Sequence, residues 1–215
     1  MMITAVAFDM DGLMFDTEDI YDRVGRELMR RRGHDYSEEL RHAVMGKPPQ
    51  QSFETMIQWH SLTDSWQALK AESEALFLEY MKDGFQMMPG LAELLAELEH
   101  RRIPKGICTS SSRRIVTEVL NVYNMIPRFK FVMTAEDILF GKPNPEIYLK
   151  AAKRLEVEPS RMMVLEDSAA GCRAAADSGA FAVVVLAEHN KNQDFPYASL
   201  VADRLDSPQI LNRLL

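Results

Sequence analysis

The chain has 215 residues, of which 47% are hydrophobic and 27% charged, with a formal net charge of −7. That balance fits a soluble globular protein of one large or two small domains. The acidity argues against general affinity for nucleic acid or anionic membrane, but not against small phosphorylated ligands, which need only local positive groups.

No stretch approaches the roughly 20 apolar residues of a membrane span. No cationic segment precedes the first apolar run, and Asp9 and Asp11 interrupt it, so a signal peptide is not expected. Cys108 and Cys172 make no disulfide framework and read as small core residues in a reducing, cytoplasmic compartment. The fourteen methionines read as core filler.

Ile3 to Phe8 reads as a buried parallel strand that stops in Asp9-Met10-Asp11-Gly12. Glu18 to Arg32 has amphipathic helical spacing, with Ile20, Val24 and Leu28 inward and Gly33 as a stop. Ser37 can cap a short helix ending near Gly46, and Pro48-Pro49 permits another carrying Phe53, Met56, Ile57 and His60 on one face. Thr63 or Asp64 can cap a fourth, striped by Trp66, Leu69, Leu76, Phe77 and Tyr80.

From Pro89-Gly90 onward helix and strand alternate. The expected order is helix Leu91–Arg101, strand Ile103–Thr109, a helix capped by Ser112, strand Phe131–Met133, helix Glu146–Glu156, strand Met162–Leu165, helix Ala169–Ser178 and strand Phe181–Leu186. A last strand is expected near Val201 and a last helix from Pro208. This order predicts an α/β protein with a Rossmann-like, doubly wound parallel sheet. The expected domains are a core of residues 1–16 and 86–215 and an inserted α-helical cap of 17–85, hinged near Phe15–Glu18 and Gly84–Met88.

Four polar clusters fall after expected strands, where open α/β sheets bind ligands. Asp9 and Asp11 put two carboxylates at the first tip, and Gly12 allows a tight turn that brings amides close to a ligand. Thr109-Ser110-Ser111 offers a hydroxyl and amides before a helix, an anion-sized cradle. Gly141-Lys142-Pro143-Asn144-Pro145 presents a lysine from a stiff turn. Glu166-Asp167-Ser168 supplies oxygen ligands for a hard cation. Each alone could be an ordinary turn, cap or solvated lysine. Together they form a kit for phosphoryl transfer.

The ordered segments DMDGLMFDT, TSS, GKPNPEIY and EDSAAG, with a helical insertion after the first, resemble the haloacid dehalogenase-like superfamily of phosphatases and phosphomutases along the whole chain. The resemblance implies Asp9 as the nucleophile that becomes an aspartyl-phosphate, and Asp11 as the acid and base for the leaving oxygen and the water. It implies Mg²⁺ held by Asp9, Glu166, Asp167 and the Asp11 carbonyl, with Lys142 sharing the neutralisation. Thr109 and Ser110 would hold phosphate oxygens, and Gly12 and Leu13 would line the phosphate or substrate site.

The turn Met45-Gly46-Lys47-Pro48 looks like the superfamily's specificity loop, which makes Gly46 and Lys47 candidate substrate contacts. An aspartate at position 11 argues for phosphoryl transfer, because dehalogenases of the superfamily lack it. The five histidines, His34, His42, His60, His100 and His189, fall in no metal-like spacing and read as surface or structural residues.

The expected activity is Mg²⁺-dependent hydrolysis of a small phosphorylated metabolite by a monomer, without nucleic-acid or membrane partners. A phosphohexomutase of the β-phosphoglucomutase type is the alternative, and a catalytically silent binding protein is a third. Mutases of that type have a histidine where this chain has Tyr21. They also have an arginine in the cap loop, where this chain reads Gly46-Lys47-Pro48-Pro49.

Overall fold

The computed structural model describes residues 2–45 and 48–215. The chain folds as two compact units, Met1–Asp16 with Gln86–Leu215, and Thr17–Phe85. The first is an α/β unit with a six-stranded, wholly parallel sheet. Its strands are β1 (Ala5–Phe8), β2 (Lys105–Cys108), β3 (Val132–Met133), β4 (Met162–Glu166), β5 (Phe181–Val185) and β6 (Leu200–Ala202), in spatial order β3-β2-β1-β4-β5-β6. This is a Rossmann-like, doubly wound arrangement. The order reverses between β1 and β4, and the crevice at such a switch point is where ligands bind in open α/β sheets.

The strands are apolar on both faces because helices cover both. On one face Ala5, Ala7, Met162, Val164, Ala182 and Val184 pack into one cluster with side chains of two helices, α7 (Glu146–Leu155) and α8 (Ala169–Asp177). Small residues at Ala174, Ala175 and Ala182 lie where α8 packs on β4 and β5. The alternate residues Val6, Phe8, Met163 and Leu165 are buried on the opposite face. Three further helices complete this unit, α5 (Leu91–His100), α6 (Arg113–Val122) and α9 (Pro208–Leu211).

The second unit has α1 (Glu18–Arg31), α2 (Glu38–Val44), α3 (Pro49–His60) and α4 (Trp66–Tyr80), with no strand among its described residues. Gly25 has no Cβ because the Tyr36 ring lies against that face of α1. Arg32 joins α1 to α4 through Asp64 Oδ1 and Glu72 Oε2, both 2.7 Å away. Its neighbour Arg31 also reaches Glu72, at 2.9 Å.

Several boundaries differ from expectation. Ser65, rather than Thr63 or Asp64, caps α4, its hydroxyl accepting from Ala68 N at 3.2 Å. On α3 only Met56 is buried, and Phe53, Ile57 and His60, expected on the same face, are half-buried. Ser112 sits at the N-cap of α6 without a capping bond; the Glu136 carboxylate accepts from Arg113 N instead.

The segments expected as hinges also show pairing that their composition does not announce. Asp16 N donates to Gln86 O and Met88 N to Met14 O, each at 2.9 Å, so the outgoing and returning chains run as a short ribbon inside the α/β unit. No helix among the described residues is long and apolar enough to cross a membrane.

Both cysteines are free and buried. Burial pushes the Cys172 thiol up to about 11 and also raises that of Cys108. Neither is a thiolate at neutral pH, and thiol reactivity follows the thiolate. Native protein at pH 8 should therefore react negligibly with a disulfide reagent, whereas both thiols should react in denaturant. Rapid native reaction at either position would place it outside the core.

Candidate active site

The site is built where β1, β2 and β4 end. Backbone pairing of Phe8 with Leu165, continued by Asp9 N donating to Leu165 O at 2.9 Å, brings Asp9 beside Glu166 and Asp167. Carboxylate oxygens of these three residues lie within 4.8 Å of one another, and all three residues are buried.

Lys142 enters from the loop before α7 and is itself buried. Its Nζ donates to Asp9 Oδ1, to Glu166 Oε1 at 2.5 Å and to the Cys108 carbonyl at 3.1 Å. An ammonium has three protons, so all three are used. Lys142 therefore offers an incoming phosphate its field rather than an unused N–H. The peptide bond after it, Lys142–Pro143, is cis.

Burial is the largest influence on Asp9 and raises its pKa well above the usual carboxylate value, with Lys142 opposing and Glu166 and Asp167 reinforcing the rise. Burial likewise raises Asp167, helped by Glu166. For Lys142 burial acts downward, but Asp9 and Glu166 outweigh it and hold the ammonium above the usual lysine range.

Three converging carboxylates and one ammonium leave the pocket short of positive charge when all are ionised. A hard divalent cation with oxygen ligands fits that donor set and that deficit. Asp9, Glu166 and Asp167 are the residues that would hold it.

Asp11 is half-buried and held differently. Ser111 Oγ donates to its Oδ2 at 2.6 Å and Thr109 Oγ1 at 3.4 Å, while Ser111 N donates to Thr109 Oγ1 at 3.0 Å. The Thr109-Ser110-Ser111 turn thus stands beside Asp11, with Ser110 partly exposed. Gly12 has φ +71°, and a Cβ there would overlap the Asp167 carboxylate. Leu13 is buried in the core. Gly46 and Lys47, the loop candidates for substrate contact, lie outside the described residues.

Three contributors, Tyr148, Gly171 and His189, were not expected, and Ser168, named with Glu166 and Asp167, joins them. Tyr148, fully buried on α7, donates its hydroxyl to Glu166 Oε1 and sets its ring 5.2 Å from Lys142 Nζ. Ser168 donates its hydroxyl to Glu166 Oε2 at 3.0 Å and accepts from Gly171 N at 3.0 Å, so it both caps α8 and braces the carboxylate. Gly171 has no Cβ because Glu166 occupies that space. His189, read from sequence as surface or structural, stands with Nε2 2.7 Å from Asp167 Oδ2. The available signals were slight: Tyr148 closes the GKPNPEIY segment, and His189 follows the tip of the strand next to β4.

Residues 6–185 match the family described as Haloacid dehalogenase-like hydrolase. A phosphorylated carbohydrates phosphatase from Thermotoga maritima is 32% identical over 179 residues, 81% of each chain. A beta-phosphoglucomutase from Bacillus subtilis is 27% identical over 84% of this chain and 82% of its own. The crystal structure of a HAD hydrolase, family IA, variant 3, from Entamoeba histolytica superposes with TM-score 0.85 at 25% identity, covering 97% of both chains.

Gly171→Ala provides a test of how tightly Glu166 is held. Alanine is otherwise favourable in a helix, but here its methyl would fall on the carboxylate. Stability should drop by about 1–3 kcal/mol, as overpacking does, measured by thermal or denaturant unfolding. An unchanged midpoint would mean that the carboxylate moves aside freely.

The sheet order, the acidic strand tips and the match over residues 6–185 agree, and this chain belongs to the haloacid dehalogenase-like hydrolase family.

Proposed function

We propose that this hydrolase is a Mg²⁺-dependent phosphatase that releases phosphate from a small phosphomonoester, a sugar or nucleoside phosphate, through an aspartyl-phosphate. The observation that carries this reading is the Asp9 carboxylate, clamped by Lys142 at the switch point and converging with Glu166 and Asp167. A bound Mg²⁺ would supply positive charge against the phosphate oxygens.

An Asp9 oxygen attacks phosphorus and the phosphorus–oxygen bond to the alcohol breaks. Asp11 gives its proton to the departing alkoxide. The same carboxylate then takes a proton from water, which attacks phosphorus, breaks the bond to Asp9 and yields inorganic phosphate. Thr109 and Ser110 hold phosphate oxygens, and the Gly12–Leu13 backbone lines the site. Lys142 opposes the effect of burial on the Asp9 charge and holds the carboxylate in place. Residues 17–85 are assigned as the cap domain, with Gly46 and Lys47 in its specificity loop.

A mutase must exclude water until the sugar has turned over, and the Bacillus relative keeps that reading in view. Tyr21 weighs against it. At a position where such mutases carry a histidine, this side chain packs its ring 4.7 Å from Phe77 within the helical unit.

A panel of phosphorylated metabolites scored for free phosphate tests the reading, with β-glucose 1-phosphate followed separately for glucose 6-phosphate. Phosphate release in Mg²⁺, lost in EDTA, is expected. Glucose 6-phosphate with little free phosphate would reverse it, and full activity in EDTA would remove the metal.

Asp9→Asn should abolish turnover, and borohydride should trap its label at Asp9 in the wild type; an active Asp9→Asn protein overturns the mechanism. Asp11→Asn should cost ~10²–10⁴-fold. Ser111→Ala should slow alkyl phosphates more than p-nitrophenyl phosphate, whose leaving group needs little protonation. Equal losses on both would show that Ser111 serves folding rather than Asp11.

A further inference from the structure

Lys142 secures two of the three buried carboxylates, Asp9 and Glu166, and does not bond the third. Asp167 is held from the other side. The loop after β5 folds back over it, fixed by Asn190, which is 1% exposed. Asn190 Nδ2 donates to the Asp167 carbonyl at 2.8 Å and to the Val185 carbonyl at 3.1 Å. Its Oδ1 accepts from Ala187 N at 2.8 Å. The amide thus ties the strand end, the loop and the Asp167 backbone into one unit. Lys191 N adds a bond to the Ala187 carbonyl at 3.0 Å.

Placed by that tie, His189 brings Nε2 to 2.7 Å from Asp167 Oδ2. Cation binding needs the Asp167 carboxylate ionised, and an ionised carboxylate only accepts hydrogen bonds, so in that state the ring nitrogen facing it is the one that donates. Room for this approach comes from Gly12, where a Cβ would stand 3.1 Å from His189 Nε2 as well as colliding with Asp167.

We infer that His189 and Asn190 form a clasp that fixes the Asp167 carboxylate for cation binding, His189 acting as a positioning residue. The inference rests on the metal reading above and goes beyond it, since no carboxylate of the cluster requires a histidine. With Oδ2 hydrogen-bonded, the carboxylate does not rotate freely, and its remaining lone pairs are presented in a fixed direction. Loss of such a partner behind a metal ligand typically weakens metal binding ~10–100-fold.

The test is cation binding to metal-free full-length protein, by calorimetry with Mg²⁺ and by electron paramagnetic resonance with Mn²⁺. Wild type, His189→Ala, His189→Gln and Asp167→Ala are compared, with circular dichroism to verify folding. His189→Ala should raise Kd at least ~10-fold, and His189→Gln should recover much of the loss, because its side-chain N–H can still donate. Asp167→Ala should bind least. A wild-type Kd in folded His189→Ala, or a glutamine variant as weak as the alanine one, overturns the clasp while leaving the metal reading intact. A wild type that binds neither cation overturns the metal reading and the clasp with it.

Discussion

The Lys142 ammonium is the interaction on which the site depends. Its three protons reach a residue following β1, the last carbonyl of β2 and the last residue of β4. Those are three adjacent strands at the centre of the sheet. One buried cation therefore joins the tips of three strands and offsets part of the charge that converges on them. Burying an unpaired charge is strongly unfavourable, and removing one partner of a buried pair leaves the other uncompensated. For that reason the lysine has its own supports: the Tyr148 ring stands 5.2 Å from it, and the Tyr148 hydroxyl shares Glu166 Oε1 with it.

The packing around this centre is arranged for close approach. Gly12 and Gly171 are both positions where a methyl would occupy the space of a carboxylate, Asp167 in one case and Glu166 in the other. The two glycines serve different local geometry: one takes a positive φ in the turn after β1, and the other sits in the first turn of α8. Both admit acidic side chains to a volume that larger residues would fill. The result is a densely supported acidic pocket in which burial raises Asp9 and Asp167 above their ordinary carboxylate range. A fold that only needed stability would place apolar side chains there.

Much of this was legible because strand tips in a parallel sheet have a strong signature. Short apolar runs that end abruptly in Asp9, Thr109 or Glu166 announce both the strand and the polar group beyond it, and the helix–strand alternation supplied the topology. What escaped were contacts between segments remote in sequence. Tyr148 looks like any core aromatic on a helix until Glu166 is seen above it. His189 carries no spacing signal because its partner is 22 residues away, just past the end of β4. The cap of α4 was misplaced because Thr63, Asp64 and Ser65 are all competent caps in a row, and local chemistry does not choose between them. The narrow buried face of α3, where only Met56 is buried, is not revealed by its own periodicity.

The two aspartates of the first tip are separated by one residue and live in different surroundings. Asp9 is buried and held by a cation that cannot give up its place without leaving charges unpaired. Asp11 is half-buried and held by hydroxyls of Ser111 and Thr109, neutral groups that can rotate to donate or accept. On the proposed chemistry these are the environments each role requires. A nucleophile benefits from a fixed position and a nearby cation that opposes the effect of burial on its charge, whereas a group that passes a proton out and takes one back needs partners that accommodate both of its states. Met10 between them is fully buried, and the chain turns on Gly12 immediately beyond. This anchor lets two identical side chains so close in sequence face such different surroundings. The division of labour thus follows from how a strand ends: the residue continuing the ladder is drawn into the charged interior, and the one after the anchor is carried to the hydroxyl-lined rim.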